Sequence, residues 1–228
     1  MEKVYVGKTK NVYRLENGHY LLQFKDDVTG KDGVFDPGEN QVGLTLAGSG
    51  RAALTLTQYF FDILKEKGIK THYVSANLDD VTMEVLEAHP FGKGLEFIYR
   101  YKAVGSFFRR YNQYVTEAQD LGGFFEVTLK NDAAGDPVVA KEALEYFGVM
   151  TEAEYATIAA QTKVICDVVK ETLAAQGLDL YDIKLEFGKT ADGEIMLIDE
   201  ISGGNMRVYK GDQYIQPLDL TRMILENL

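Results

Sequence analysis

The stretch Leu180-Tyr-Asp-Ile-Lys-Leu-Glu-Phe-Gly188 alternates charge with apolar bulk. Successive side chains of an extended chain point to opposite faces, so Asp182, Lys184 and Glu186 share one face of a strand. Tyr181, Ile183, Leu185 and Phe187 share the other, which reads as core. The charged face has two readings: a solvated surface, or a site. Asp192-Gly193 is a hairpin signal, and past it Ile198-Asp199-Glu200-Ile201 returns as a second acidic strand beside the first. Carboxylates on adjacent strands repel unless a cation sits among them. Carboxylates from the two strands, offering the hard oxygens that Mg²⁺ takes, are therefore a candidate Mg²⁺–phosphate site, and the interposed Lys184 is placed to meet phosphate charge.

Three further clusters carry charge in unusual places. Gly7-Lys8-Thr9-Lys10 lies between a first strand and a hairpin, where glycine admits a ligand to the backbone and two lysines supply point charges. The Gly-x-x-x-x-Gly-Lys-[Ser/Thr] spacing of a Walker A loop is absent, and an exposed basic turn is the alternative. Arg100, Lys102, Arg109 and Arg110 crowd a short segment of an otherwise acidic chain. Within it Gly105-Ser106 can open a helix with Ser106 as N-cap, leaving backbone N–H groups beside the arginines to receive an anion. A basic helix face that neutralises neighbouring acids is the other reading. Lys130-Asn-Asp-Ala-Ala-Gly-Asp-Pro137 has the composition of a turn.

The elements that must hold these residues can be read around them. Val4–Val6 is a short strand. Asn11–Glu16 and His19–Lys25 flank Asn17-Gly18, which predicts a two-residue hairpin turn with positive φ at both positions. Residues 26–50 read as a long, glycine-punctuated connection. Arg51–Lys67 has helical periodicity and ends before Gly68; Thr71–Ser75, Val81–Val85 and Leu95–Tyr101 read as strands. Thr151 with Glu154 makes a capping box for a helix that Gly177 stops, with Cys166 near its apolar stripe. Pro217 can open a last helix to Leu225. The expected fold is α+β: an N-terminal, mainly antiparallel β-sheet layer over residues 1–92 and a larger α+β part over residues 93–228, with a cleft between.

Composition removes several classes of function. The 228 residues carry 24 basic and 35 acidic side chains, a net charge of −11, which argues against broad binding to nucleic acid or an anionic membrane. The single Cys166 cannot form an internal disulfide and favours a reducing, cytoplasmic setting. No apolar run approaches the roughly 18 residues of a membrane span. The apolar stretch after Met1-Glu2-Lys3 is too short for a signal peptide.

Taken in order along the chain, these segments resemble the SAICAR synthetase family, the phosphoribosylaminoimidazole-succinocarboxamide synthases of purine biosynthesis. The resemblance runs through Gly7-Lys8-Thr9-Lys10 with Val12-Tyr13, Phe24-Lys-Asp-Asp27 with Asp32-Gly33, and Arg100 with Gly105-Ser106. It continues through Lys130-Asn-Asp132 with Asp136-Pro137, then Asp182-Ile-Lys-Leu-Glu-Phe-Gly188, and Asp199-Glu-Ile-Ser202 with Arg207. It implies an ATP- and Mg²⁺-dependent ligase that joins L-aspartate to carboxyaminoimidazole ribonucleotide (CAIR) through an acyl phosphate, giving SAICAR, ADP and phosphate. By the resemblance the first part binds nucleotide and the second carries the acceptor and metal site. Lys8, Lys10, Val12 and Glu186 are then expected on ATP, and Glu186 and Asp199 on the metal. Asp32, Arg100, Ser106, Asp136 and Arg207 are expected on substrate, and Lys184, Asp182 and Lys130 are the expected catalytic residues. Bacterial members suggest a homodimer. Two alternatives stand beside this: a phosphotransferase of similar architecture, and a paralogue with a related substrate or no activity. Gly203-Gly204 stands where the family usually has Pro-Asp, which predicts a freer loop with one carboxylate fewer, and Ser49 stands where it usually has lysine.

Overall fold

The computed structural model describes residues 1–39 and 41–225. Its first half is a five-stranded antiparallel sheet built on β1 (Glu2–Val6), β2 (Lys10–Arg14) and β3 (Tyr20–Phe24). A small three-stranded sheet follows, of β4 (Asp27–Lys31), β5 (Val34–Phe35) and β6 (Val42–Thr45). After α1 (Ser49–Glu66), β7 (Tyr73–Asn77) and β8 (Thr82–Val85) complete the first sheet in the order β1-β2-β3-β8-β7. Leu54, Phe60, Phe61 and Leu64 of α1 are fully buried.

The second half is a seven-stranded sheet. Its elements are β9 (His89–Pro90), β10 (Leu95–Lys102), α2 (Gly105–Tyr111) and β11 (Asp120–Leu129), then α3 (Lys141–Tyr146) and α4 (Glu152–Ala174). The chain continues as β12 (Asp179–Lys189), β13 (Ile195–Ile198), β14 (Met206–Lys210), β15 (Gln213–Tyr214) and α5 (Pro217–Leu225). The strand order is β11-β10-β12-β14-β15; β13 and β9 pair with the far half of β12. Strand β12 is the spine. Its register sets Asp182 opposite both Arg100 of β10 and Arg207 of β14, and Glu186 opposite Ile198 of β13. Its apolar face joins Phe97 and Tyr99 of β10 in a core that α4 closes with Ile158, Ile165 and Val169.

Residues 70–72 stitch the two sheets together. Leu197 N–H donates to the Lys70 carbonyl (3.1 Å), His72 N–H to the Leu197 carbonyl (2.9 Å) and Leu86 N–H to the His72 carbonyl (2.7 Å). Helix α5 returns to the first half, where Thr221 Oγ1 donates to the Ala52 carbonyl of α1 (3.3 Å).

Three local expectations are corrected. The β2–β3 turn has positive φ at Gly18 and not at Asn17; Gly18 N–H donates to the Leu15 carbonyl, and Leu15 N–H to that of His19. This is a three-residue loop ending in a left-handed glycine rather than a two-residue turn. Residues 26–50 are not one connection, because they pair as β4, β5 and β6. Helix α2 begins at Gly105 with Val104 as N-cap and no side-chain cap; the Ser106 hydroxyl instead accepts from Arg100. The capping box at Thr151 and Glu154 is present as expected. Thr151→Ala should cost about 1 kcal/mol, read as a lower midpoint in urea unfolding; an unchanged midpoint would show that the cap adds nothing to stability.

Candidate active site

Two cavities, of about 600 and about 260 Å³, meet between the sheets. Lys184, Glu96, Asp136 and Asn205 line both. The larger opens under the β1–β2 turn, with Val12, Leu22 and Phe24 as an apolar wall and a charged floor from β12 and the segment after β13.

On that floor each carboxylate faces an ammonium. Lys10 Nζ lies 3.0 Å from Asp199 Oδ1 and 2.5 Å from Glu200 Oε1, above the Phe24 ring. Lys130 Nζ lies 2.6 Å from Glu186 Oε1, and Lys8 Nζ 2.6 Å from Asp132. Lys184 Nζ donates to Glu96 Oε1 (2.8 Å), whose other oxygen accepts from Thr128 Oγ1 (2.8 Å). Burial opposes charge on Lys10, but Asp199 and Glu200 outweigh it and raise its pKa. Lys130 and Lys184 follow the same logic: burial is overcome by Glu186 and Asp199 for Lys130, and by Glu96 and Glu186 for Lys184. Burial and then the charge of Asp199 push Glu186 up, while for Asp199 burial is overcome by Lys10 and Lys130, which hold it down. Burial raises Asp136. Burial lowers His72 to about 4, so its ring is neutral, and its Nε2 lies 3.1 Å from the Asp199 carbonyl.

The donor set fits a hard divalent cation. Glu186 projects from β12, and Asp199 from the left-handed turn just past β13, which ends at Ile198 and so does not carry Asp199 and Glu200 as the expected second acidic strand; Glu200 Oε2 is buried without a hydrogen-bond partner. Among the described residues no group of three acidic, histidine or cysteine side chains forms a complete cage. Mg²⁺ needs none, since it takes one or two carboxylates and fills its shell with phosphate oxygens and water.

The smaller cavity is walled by arginine. Arg100, 1% exposed, donates from Nη1 to Asp182 Oδ2 (2.6 Å) and from Nε and Nη2 to Glu126 Oε1 (2.9 and 2.5 Å). Its Nη2 also donates to Ser106 Oγ (3.0 Å). Arg207 donates from Nη1 to Asp182 Oδ2 (2.9 Å) and from Nη2 to Asp36 Oδ1 (2.6 Å). Arg110 pairs with Glu126 (2.7 Å) and Arg109 with Asp36 (3.6 Å). On this wall four guanidinium groups meet three carboxylates and offer donors suited to a phosphate or carboxylate, while Glu39, Glu96 and Asp136 with Lys184 line the rest of the cavity. Gly105 permits this: it sits at φ 54°, and a Cβ there would lie 2.6 Å from the Arg207 guanidinium.

The structure gathers most of the expected residues. Lys8, Lys10, Val12, Lys130, Glu186 and Asp199 line the larger cavity; Arg100, Ser106 and Arg207 line the smaller; Lys184 and Asp136 line both. Two placements are corrected. Asp32 is exposed in the β4–β5 turn and lines neither cavity; Asp36, four residues on, reaches Arg207 instead. Asp182 lies in the arginine cavity alone rather than between the two, with both neighbouring guanidiniums on its carboxylate. Glu96 and Glu126 were missed, although Glu96, Ile98 and Arg100 alternate on β10 as the charges of β12 do. The Gly203-Gly204 loop is tied down, not free. Ser202 N–H donates to Asn205 Oδ1 (2.9 Å), Asn205 Nδ2 to the Glu200 carbonyl (2.6 Å), and a Cβ on Gly203 would lie 2.6 Å from Pro217. Arg51 lies toward Asp79 and lines neither cavity.

A lysine–carboxylate floor beside an arginine-walled pocket, joined at one lysine, defines an enzyme that sets a nucleoside polyphosphate against a second, anionic substrate. The SAICAR synthetase family model matches residues 3–222. A phosphoribosylaminoimidazole-succinocarboxamide synthase of Clostridium tetani is 56% identical over 99% of this chain and 100% of its own. The Ehrlichia chaffeensis enzyme of that name superposes with TM-score 0.83 at 27% identity over 99% of this chain and 92% of its own. A type-2 SAICAR synthetase solved in complex with ADP gives 0.82 at 28% identity, covering 99% of this chain and 91% of its own. The chain belongs to the SAICAR synthetase family, the ATP-dependent ligase step of purine biosynthesis.

Gly105→Ala should push the Arg207 guanidinium out of place. The expected result is about tenfold weaker binding of a ribonucleotide monophosphate by calorimetry, with ADP affinity unchanged. Equal monophosphate affinity in the variant would remove this wall from the phosphate site.

Proposed function

We propose that the larger cavity takes ATP with Mg²⁺, that the smaller takes CAIR, and that L-aspartate is joined to the CAIR carboxylate where they meet. The observation that carries this reading is the placement of Lys184, which lines both cavities with its ammonium fixed on Glu96. The named ADP complex of a relative supports the nucleotide half.

The chemistry asks for such a junction. A carboxylate resists an amine because oxide would have to leave. Attack of a CAIR carboxylate oxygen on the γ-phosphorus expels ADP and leaves an acyl phosphate. The aspartate amine then attacks the acyl carbon, inorganic phosphate departs and a proton is lost. Val12, Leu22 and Phe24 receive the base, and Lys8, Lys10 and Lys130 meet phosphate oxygens. Arg100, Ser106 and Arg207 clamp the ribonucleotide, with Asp36, Asp182 and Glu126 holding the guanidiniums in place. Lys184 stabilises the charge that passes from γ-phosphate to acceptor. Asp136, at the same junction and raised in pKa by burial, takes the proton the amine gives up. Glu186 and Asp199 are the proposed Mg²⁺ ligands, and the ion when bound neutralises phosphate charge. The proposed homodimer and cytoplasmic setting rest on the family resemblance and the lone thiol.

Phosphate release from ATP, Mg²⁺ and CAIR should require L-aspartate. ADP formation indifferent to the amino acid would replace the ligase with a phosphotransferase. Lys184→Ala should abolish turnover while the protein stays folded by circular dichroism; wild-type turnover would exclude Lys184 from the reaction.

A further inference from the structure

Asp199 is one of the few non-glycine residues with positive φ, at 67°. Such a backbone is unfavourable for a residue with a side chain and persists only where its surroundings enforce it. Here the enforcement is visible. Strand β13 ends at Ile198, one residue earlier, and Leu197 is held on both sides by the Lys70 carbonyl and the His72 N–H. The His72 ring then reaches two residues further, its Nε2 lying 3.1 Å from the Asp199 carbonyl. The ring is 5% exposed and stands edge-on to Phe61, which fixes its direction. On the other side, Asn205 Nδ2 holds the Glu200 carbonyl at 2.6 Å. The two successive peptides after Asp199 are thus each held at their carbonyl, one by His72 and one by Asn205, and the Asp199 carboxylate emerges toward Lys10 and the nucleotide cavity.

We infer that His72 is a positioning residue for the metal site: its ring N–H, by holding the Asp199 carbonyl, keeps the left-handed turn that aims the Asp199 carboxylate at the cation. His72 itself lines neither cavity. The inference rests on the proposed role of Asp199 as a metal ligand.

The test uses the full chain with Mn²⁺ and ADP, following bound Mn²⁺ by electron paramagnetic resonance and metal-free ADP binding by calorimetry. His72→Phe keeps the ring and its contact with Phe61 but removes the donor; His72→Gln keeps an N–H donor. The phenylalanine variant should bind Mn²⁺ about tenfold more weakly in the presence of ADP, with metal-free ADP affinity within about twofold of wild type, and glutamine should recover most of the loss. Unchanged Mn²⁺ affinity in the folded phenylalanine variant would overturn the inference. Asp199→Asn separates it from the reading beneath: weakened Mn²⁺ binding there but not in His72→Phe rejects the role of His72 alone, and no weakening in either rejects the metal site as well. Should His72→Phe fail to fold, ¹⁵N spectra of the wild-type imidazoles decide. A protected Nε2–H on His72 that shifts when Mg²⁺ and ADP bind supports the inference; the Nδ1–H tautomer rejects it.

Discussion

A charge taken out of water costs several kcal/mol unless an opposite charge meets it with good geometry. Strand β12 carries three charges on one face into the middle of the molecule, so its neighbours are constrained by that requirement. Asp182 is answered by Arg100 on one side and Arg207 on the other, Lys184 by Glu96, and Glu186 by Lys130. The first three of these partners lie on β10 and β14, so the same pairs that satisfy the charges also define the register of the sheet. A slip of one residue would turn the ionic face into the core and the aromatic face into the cleft. Sheet and site are one arrangement here.

The pairing also divides the cleft. In the arginine cavity Arg100 and Arg207 are each held by two carboxylates, so an anion entering there meets donors already oriented. In the larger cavity Lys8, Lys10, Lys25, Lys130 and Lys184 are each already paired with a carboxylate. On the proposed function a triphosphate and a divalent cation would enter it together, each supplying the charge that the other's partner releases. Lys184 belongs to both environments. On the proposed function, negative charge moving from one cavity to the other would pass beside it.

How much of this could be read from the chain depended on the range of the signal. The alternation on β12, the capping box at Thr151 and the crowding of arginines after Arg100 are local patterns, and each corresponds to a local feature of the fold. Ser106 had the local signature of an N-cap, but its hydroxyl is taken by Arg100, a strand residue. Asp32 had a family motif behind it, yet the β4–β5 turn carries it outward and Asp36 meets Arg207 across 171 residues of sequence. Glu96 and Glu126 matter through partners on other strands, which no spacing within one segment displays. The glycines of residues 26–50 suggested looseness; two of them serve close approach, since a Cβ on Gly30 would strike Val34 and one on Gly43 would strike Gly30.

The helix pair α1 and α5 has a consequence for how the molecule is made. Thr221 grips Ala52 across 169 residues, and Pro217 lies against Gly203 at the edge of the nucleotide cavity. A chain emerging from the ribosome can form the first sheet early, but the helix that packs on α1 is still unsynthesised when that sheet is ready. The apolar flank of α1 must therefore wait, exposed or shielded by a chaperone, until Pro217–Leu225 has emerged, a cost in time and aggregation risk set by topology rather than by stability.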